Sequence, residues 1–268
     1  MKTYIHETPA RIGEHLAGRI VAGIRAANEA GRAYLLGCPG GRSAMPVYEA
    51  LAKKLAAEAV DCSALTIAMM DEYLLAGDEY LLAGPDGALS LPPASAHFSC
   101  RGFGEREIVA RINTGLPEAS RIKDENFWMP DPTAPADYDI RLDEAGGIDL
   151  FLLASGAGDG HIAFNPPGSA RDSRSRIVKL AEQTRRDNLA TFPDFGSIDE
   201  VPTHGVTIGI GSIADLSRSV AMIVWGEAKR TAYRRMSEIR FYDPSWPATI
   251  VVECRQAELH ADRAAAYG

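Results

Sequence analysis

The chain has 268 residues, 46% of them hydrophobic and 24% charged, the balance of a globular protein able to bury a large core, and one α/β domain over residues 1–268 is the simplest reading. A formal net charge of −8 argues against a general nucleic-acid surface, so an anionic ligand must meet a local basic pocket. No apolar run approaches the roughly 20 residues of a membrane span, the first residues lack a signal-type apolar core, and Cys38, Cys62, Cys100 and Cys254 show no paired spacing; a cytoplasmic protein with reduced thiols is expected.

In chain order, residues 8–30 carry Ile12, Leu16, Ile20, Val21 and Ile24 at spacings of three or four, which predicts an amphipathic helix. Residues 33–36 form a short apolar run that enters a Gly-Pro-Gly-Gly loop, after which Val47, Leu51 and Leu55 recur at helical spacing: strand, glycine turn, helix. Residues 65–70 read as a buried strand ending in the acidic pair Asp71 and Glu72. Residues 76–95, rich in Gly, Pro and Leu without steady periodicity, read as a surface excursion and a candidate flap over a pocket. Further strands are predicted at 150–154, 206–210, 220–224, 249–253 and 258–260, with helical patterns between several of them. Alternation of this kind implies a modified Rossmann-like α/β fold: a mainly parallel sheet, helices on both faces, and a ligand site at the carboxyl ends of the strands.

The chemistry-bearing residues fall at those ends. Gly40, Gly41, Arg42 and Ser43 lie between a strand and a helix, where backbone N–H groups and the positive helix end can hold phosphate and Arg42 adds a charge-assisted donor. A turn that merely needs glycine is the competing explanation. Asp71 or Glu72, partly buried, would have a pKa raised towards a range useful for proton transfer; the alternative is an acid capping the next helix. In Ser155-Gly-Ala-Gly-Asp-Gly-His161, Asp159 stands two residues before His161 and can fix the imidazole's tautomer. Lys229, just after the 220–224 strand, can supply a phosphate counter-charge or lie on a surface helix. The basic run from Arg171 to Arg186, which includes Arg174, Arg176, Lys179 and Arg185, either reaches the pocket or forms a solvated face.

Taken together, the Gly-Cys-Pro-Gly-Gly loop, Met70-Asp-Glu-Tyr73, Asp159-Gly-His-Ile-Ala-Phe-Asn165, Val201-Pro-Thr-His204 and the Gly226 to Lys229 turn resemble the glucosamine-6-phosphate deaminase family, kin of the 6-phosphogluconolactonases. The resemblance implies that Asp71 shuttles a proton between C2 and C1 of an open-chain amino sugar phosphate and that His161, held by Asp159, assists ring opening. Phosphate would sit on residues 40–43 and Lys229, with Arg185 nearby. It implies no cofactor and no metal, and a small-molecule sugar phosphate as partner rather than nucleic acid or membrane; it allows a homo-oligomer.

Three positions depart from the family pattern. Pro166 stands where a ring-opening glutamate is expected, Ala190 where a phosphate-binding arginine is, and Val178 at a basic position used for allosteric control, although Arg176 and Ser169 persist. Arg42 is a candidate replacement for the missing arginine. A lactone hydrolase using His161, and a sugar-phosphate sensor without turnover, are the competing functional readings.

Overall fold

The computed structural model describes residues 1–76, 82–84 and 87–267. In chain order the elements begin with β1 (Lys2–His6), α1 (Pro9–Glu29), β2 (Tyr34–Cys38), α2 (Met45–Ala57), β3 (Leu65–Met69), β4 (Asp71–Ala76), β5 (Leu82–Gly84) and β6 (Gly87–Ser90). A long helix follows, built from α3 (Cys100–Phe103), a π-helical stretch (Gly104–Ala110) and α4 (Arg111–Thr114). Then come β7 (Phe127–Trp128), α5 (Pro135–Glu144), β8 (Leu150–Ala154), β9 (Arg176–Lys179) and α6 (Glu182–Thr191). The chain continues through β10 (His204–Thr207), α7 (Ile210–Leu216), β11 (Val220–Val224), α8 (Arg230–Glu238) and β12 (Ala257–Asp262).

Seven strands form a parallel sheet in the order β1-β12-β11-β8-β2-β3-β7. Side-chain alternation divides its apolar residues between two cores. Leu36 and Cys38 of β2, Ile67 and Met69 of β3, and Leu150 and Leu152 of β8 pack against α1 and α2. Leu35, Ala68, Phe151 and Leu153 point the other way, towards α5, α7 and α8. Strands buried on both faces have no polar side to show, which is why they read as unbroken apolar runs. α1 starts where Thr8 accepts from the backbone N–H of Arg11 at 3.3 Å with Pro9 in the first turn, and its Ile12, Leu16, Ile20 and Ile24 are fully buried.

A second sheet, antiparallel, has the order β5-β6-β4-β10-β9. It corrects one expectation and adds detail to another. The 206–210 segment joins this sheet rather than the parallel one, because β10 runs antiparallel to β4 (Asp71 opposite Thr207), and Ile210 already opens α7. The excursion at 76–95 contains two short strands, β5 and β6, with β6 extending β4; the parts of the expected flap at 77–81 and 85–86 lie outside the described residues. The strand predicted at 249–253 is also wrong: Pro247–Glu253 winds as a 3-10 helix, in which Thr249 Oγ1 donates to the Trp246 carbonyl at 2.7 Å. Pro247 in its first turn favours helical over extended backbone despite the β-branched run that follows. Strand β1, polar and at the sheet edge, went unpredicted.

Candidate active site

Met70 leaves the parallel sheet and β4 enters the antiparallel one, so Asp71 stands where the two sheets part. Alternation along β4 then separates the acidic pair. Asp71 and Tyr73 line a cavity; Glu72 faces away from it. Glu72 accepts from the backbone N–H groups of Tyr73, Cys100 and Arg101 at 2.8, 2.9 and 2.7 Å, and from Ser99 Oγ at 2.9 Å. It therefore closes the start of α3, the helix-capping placement, with its carboxylate turned away from the cavity. Burial raises its pKa even against those four donors. Asp71 is 5% exposed, and burial pushes its carboxyl up to about 7, a rise opposed by a hydrogen bond from Cys100 and assisted by the neighbouring Glu72 charge.

The glycine turn forms the opposite wall. Gly40, Gly41, Arg42 and Ser43 all line the cavity with Asp71 and His161. Gly41 adopts φ +89°, a backbone that favours glycine, and the next residues begin the helical turn Arg42–Ala44 that runs into α2. The first N–H groups of such a helix have no partner within it, the arrangement that suits an anion. Lys229, at the end of the turn after β11, reaches the same cavity and donates to the Ser155 carbonyl at 2.5 Å; burial lowers its pKa, Asp187 and Asp159 raise it, and Arg42 lowers it. Arg42 donates to Thr191 Oγ1 at 3.3 Å, so two cations converge on one end of the cavity.

The turn after β8 carries the imidazole. His161 Nδ1 lies 2.7 Å from Asp159 Oδ1. Thr184 Oγ1 donates to the other carboxylate oxygen at 2.8 Å. Burial opposes ionisation of Asp159, but the His161 and Thr184 hydrogen bonds and the His161 charge carry its pKa down to about 2. An ionised carboxylate only accepts, so Nδ1 bears the proton and Nε2 is left for chemistry. Gly156 makes this pairing fit: a Cβ there would lie 2.3 Å from His161 Nδ1 and 2.4 Å from Asp159 Oδ1. Ala163, which also lines the cavity, is held at φ +49°.

Helix α6 supplies a wall that sequence reasoning missed. Asp187, Asn188 and Thr191 line the cavity. Asp187 accepts from Gln183 Nε2 at 2.9 Å, and Asn188 Nδ2 is shielded from solvent with no hydrogen-bond partner among the described residues. Spacing alone could have flagged them: Asp187, Asn188 and Thr191 follow Thr184 at intervals of three, four and seven, one helix face. Arg185, by contrast, does not line this cavity. Its guanidinium donates to the Ile198 and Val201 carbonyls, at 2.5 and 2.9 Å. Arg171 pairs with Glu253, Arg174 with Asp215 and Arg186 with Glu182, so these members of the basic run serve local structure. Arg176 donates to Asn165 Oδ1 at 2.8 Å and Ser169 Oγ at 3.2 Å. Val178 is buried with Tyr73 and Phe164, and Pro166 is not part of the cavity wall. The Ala190 side chain lies outside those described.

Asp159, His161 and Asp187 bring ligand-type atoms within 4.8 Å of one another, the one such group among the described residues. Both Asp159 oxygens are already engaged, which leaves an imidazole and one carboxylate, better suited to moving protons than to enclosing a metal. All four cysteines are free, and no described helix is long and apolar enough to cross a membrane.

No family model matches the chain. Curated relatives do. A glucosamine-6-phosphate deaminase of Streptomyces avermitilis is 38% identical over 204 residues, covering 74% of this chain and 67% of that protein. One of Rhodococcus jostii is 32% identical over 269 residues, covering 99% and 92%. Among solved structures, a monomeric glucosamine-6-phosphate deaminase superposes with a TM-score of 0.79 at 25% identity over 99% of this chain and 98% of that one. The 6-phosphogluconolactonase of Leishmania guyanensis, at 18% identity and a TM-score of 0.69, shares the fold over 100% and 98% of the two chains. A relative aligned over nearly all of both sequences, on a fold that places the motif residues around one cavity, shows that the chain belongs to the glucosamine-6-phosphate deaminase family.

Proposed function

We propose that the chain converts glucosamine 6-phosphate to the corresponding ketose phosphate and ammonia. The observation that carries this reading is the shared cavity of Asp71, His161, residues 40–43 and Lys229. Phosphate binds at the glycine turn beside Lys229 and Arg42, which anchors the sugar with its reacting end towards Asp71. Ring opening at His161 frees the C1 aldehyde. Asp71, ionised, then takes the C2 proton to give an enolamine, in which O1 gains a proton as the amine nitrogen gives one up, and returns the C2 proton to C1, leaving an imine at C2 that water hydrolyses to ketose and ammonia. A carboxyl near 7 suits this step, since it is both an adequate base at neutral pH and an adequate acid in its conjugate form. The chemistry uses side chains alone, and the four free thiols and a phosphorylated substrate fit a cytoplasmic setting.

Ammonia release from glucosamine 6-phosphate, measured with wild type, Asp71→Asn and His161→Ala, tests the proposal. Wild type should turn over, and each variant should lose about 10²-fold or more in kcat. A wild type that releases no ammonia but hydrolyses 6-phosphogluconolactone, with Asp71→Asn unimpaired, would replace this reading by the lactonase one.

A further inference from the structure

We infer that Asp187 is the second proton carrier of ring opening, partnering His161 from helix α6. The inference rests on the deaminase reading above. Opening a cyclic hemiacetal requires two proton movements: one away from the anomeric hydroxyl as C1=O forms, and one onto the ring oxygen as the C1–O5 bond breaks. His161 is one carrier. Asp159 is not available as the other, because one oxygen accepts from the imidazole and the second from Thr184. Pro166 has no titratable group and lies off the cavity wall.

Asp187 meets the requirement. It lines the cavity, and a carboxylate oxygen of it lies within 4.8 Å of a ring nitrogen of His161 and a carboxylate oxygen of Asp159. Gln183, one helical turn earlier, holds it at 2.9 Å and leaves acceptor capacity free. The adjacent Asn188 presents a solvent-shielded amide nitrogen without a partner among the described residues, an independent sign that this face of α6 is completed by a ligand. In the step itself, the Asp187 carboxylate takes the proton of the anomeric hydroxyl and the O–H electron pair becomes the second bond of C1=O. The C1–O5 bond breaks with its pair on O5, which receives a proton from protonated His161. Transfer of the new carboxylic-acid proton from Asp187 to His161 restores both groups, so no proton is gained or lost.

The alternative role for a carboxylate near Lys229 and Arg42 is electrostatic, weakening phosphate binding, and kinetics separate the two. Ammonia release from glucosamine 6-phosphate is followed for wild type, Asp187→Asn, Asp187→Ala and Asp187→Glu, with the affinity for 2-amino-2-deoxyglucitol 6-phosphate, an open-chain analogue, as a check on the pocket. Asp187→Asn should lose about 10²-fold in kcat, bind the open-chain analogue within a few-fold of wild type, and lose one limb of the pH profile of kcat. Asp187→Glu should recover part of the rate, and added formate should accelerate Asp187→Ala but not wild type. An unchanged kcat with a lowered KM, or a loss of kcat with no formate rescue and no change in the pH profile, overturns the inference while leaving the deaminase reading intact. A wild type that releases no ammonia overturns both.

Discussion

Replacing Asp71 by Asn should make the protein inactive and, above neutral pH, more stable. Burial raises the Asp71 carboxyl from 3.8 to about 7 in the native state. Between those values the folded chain holds a proton that the unfolded chain has released. The stabilising contribution of that proton is complete below pH 3.8 and is lost as pH rises through about 7. At about 1.36 kcal/mol for each tenfold change, the full difference is about 4 kcal/mol. Asn approximates the neutral acid in shape and cannot ionise, so Asp71→Asn should show no such loss. Urea unfolding of both proteins at pH 5 and pH 8 reads this directly. Relative to wild type, the variant should gain about 3 kcal/mol on going from pH 5 to pH 8, because about two of the pH units over which the stabilisation is lost lie in that window, equivalent to roughly 2–4 °C in Tm per kcal/mol. In the same range wild-type kcat/KM should rise with a midpoint near 7. Parallel stability profiles for the two proteins, or a rate midpoint near an ordinary carboxylate value, would refute the claim that burial of this acid is what makes it a neutral-pH base.

Glu72→Gln should destabilise the fold by about 1–3 kcal/mol in urea unfolding, because the charge-assisted bonds to Ser99 and to three backbone N–H groups weaken, yet it should leave the midpoint of the rate profile within half a pH unit; a vanished limb would return Glu72 to the reaction. Lys229→Ala should raise KM about 10- to 100-fold with kcat little changed, since the ammonium holds the phosphate end rather than the reacting carbons; equal loss in both constants would contradict it. His260, fully buried against Tyr4 and His6, has its pKa lowered to about 4 by burial, so the unfolded chain takes up a proton first as pH falls. Lowering the pH from 6.5 to 4 should thus cost wild type about 3 kcal/mol of His260-linked stability, and His260→Phe, which lacks this group, should gain about that much relative to wild type over the same range in the same unfolding assay.

How much of this was readable beforehand depends on what each residue faces. β2, β3, β8 and β11 are buried on both sides, so their sequences are continuous apolar runs and their ends, where Gly40, Asp71, Ser155 and Gly226 follow, could be located to within two residues. The Asp159–His161 pair is local in sequence and needed only its own turn. Asp71 and Glu72 look equivalent by type and position, whereas strand alternation permits only one of them to face the cavity, and that one is Asp71. Helix α6 has no apolar stripe: its inner face meets the cavity rather than a core, so hydrophobic periodicity is silent about Asp187 and Asn188. Arg185 looked like a ligand residue by type and position, but its guanidinium is taken up by the backbone carbonyls of Ile198 and Val201, contacts with residues 13 and 16 positions away.

Asp71 and His260 act on stability in opposite directions over overlapping pH ranges, which bears on how the fold tolerates its own active site. A buried acid with a raised pKa makes the protein less stable as pH rises from 3.8 towards 7; a buried histidine with a lowered pKa makes it more stable as pH rises from about 4 to 6.5. Between about pH 4 and 6.5 the two slopes offset each other, so wild type should show a shallow dependence there that conceals both groups. Each single variant removes one slope and exposes the other: Asp71→Asn should be steeply acid-sensitive and His260→Phe should decline towards neutral pH. The two groups sit on different strands of different sheets, β4 and β12, so the double variant should be close to the sum of the singles. Additivity would identify the flat wild-type profile as the cancellation of a catalytic cost by an unrelated structural one, and not as the absence of either.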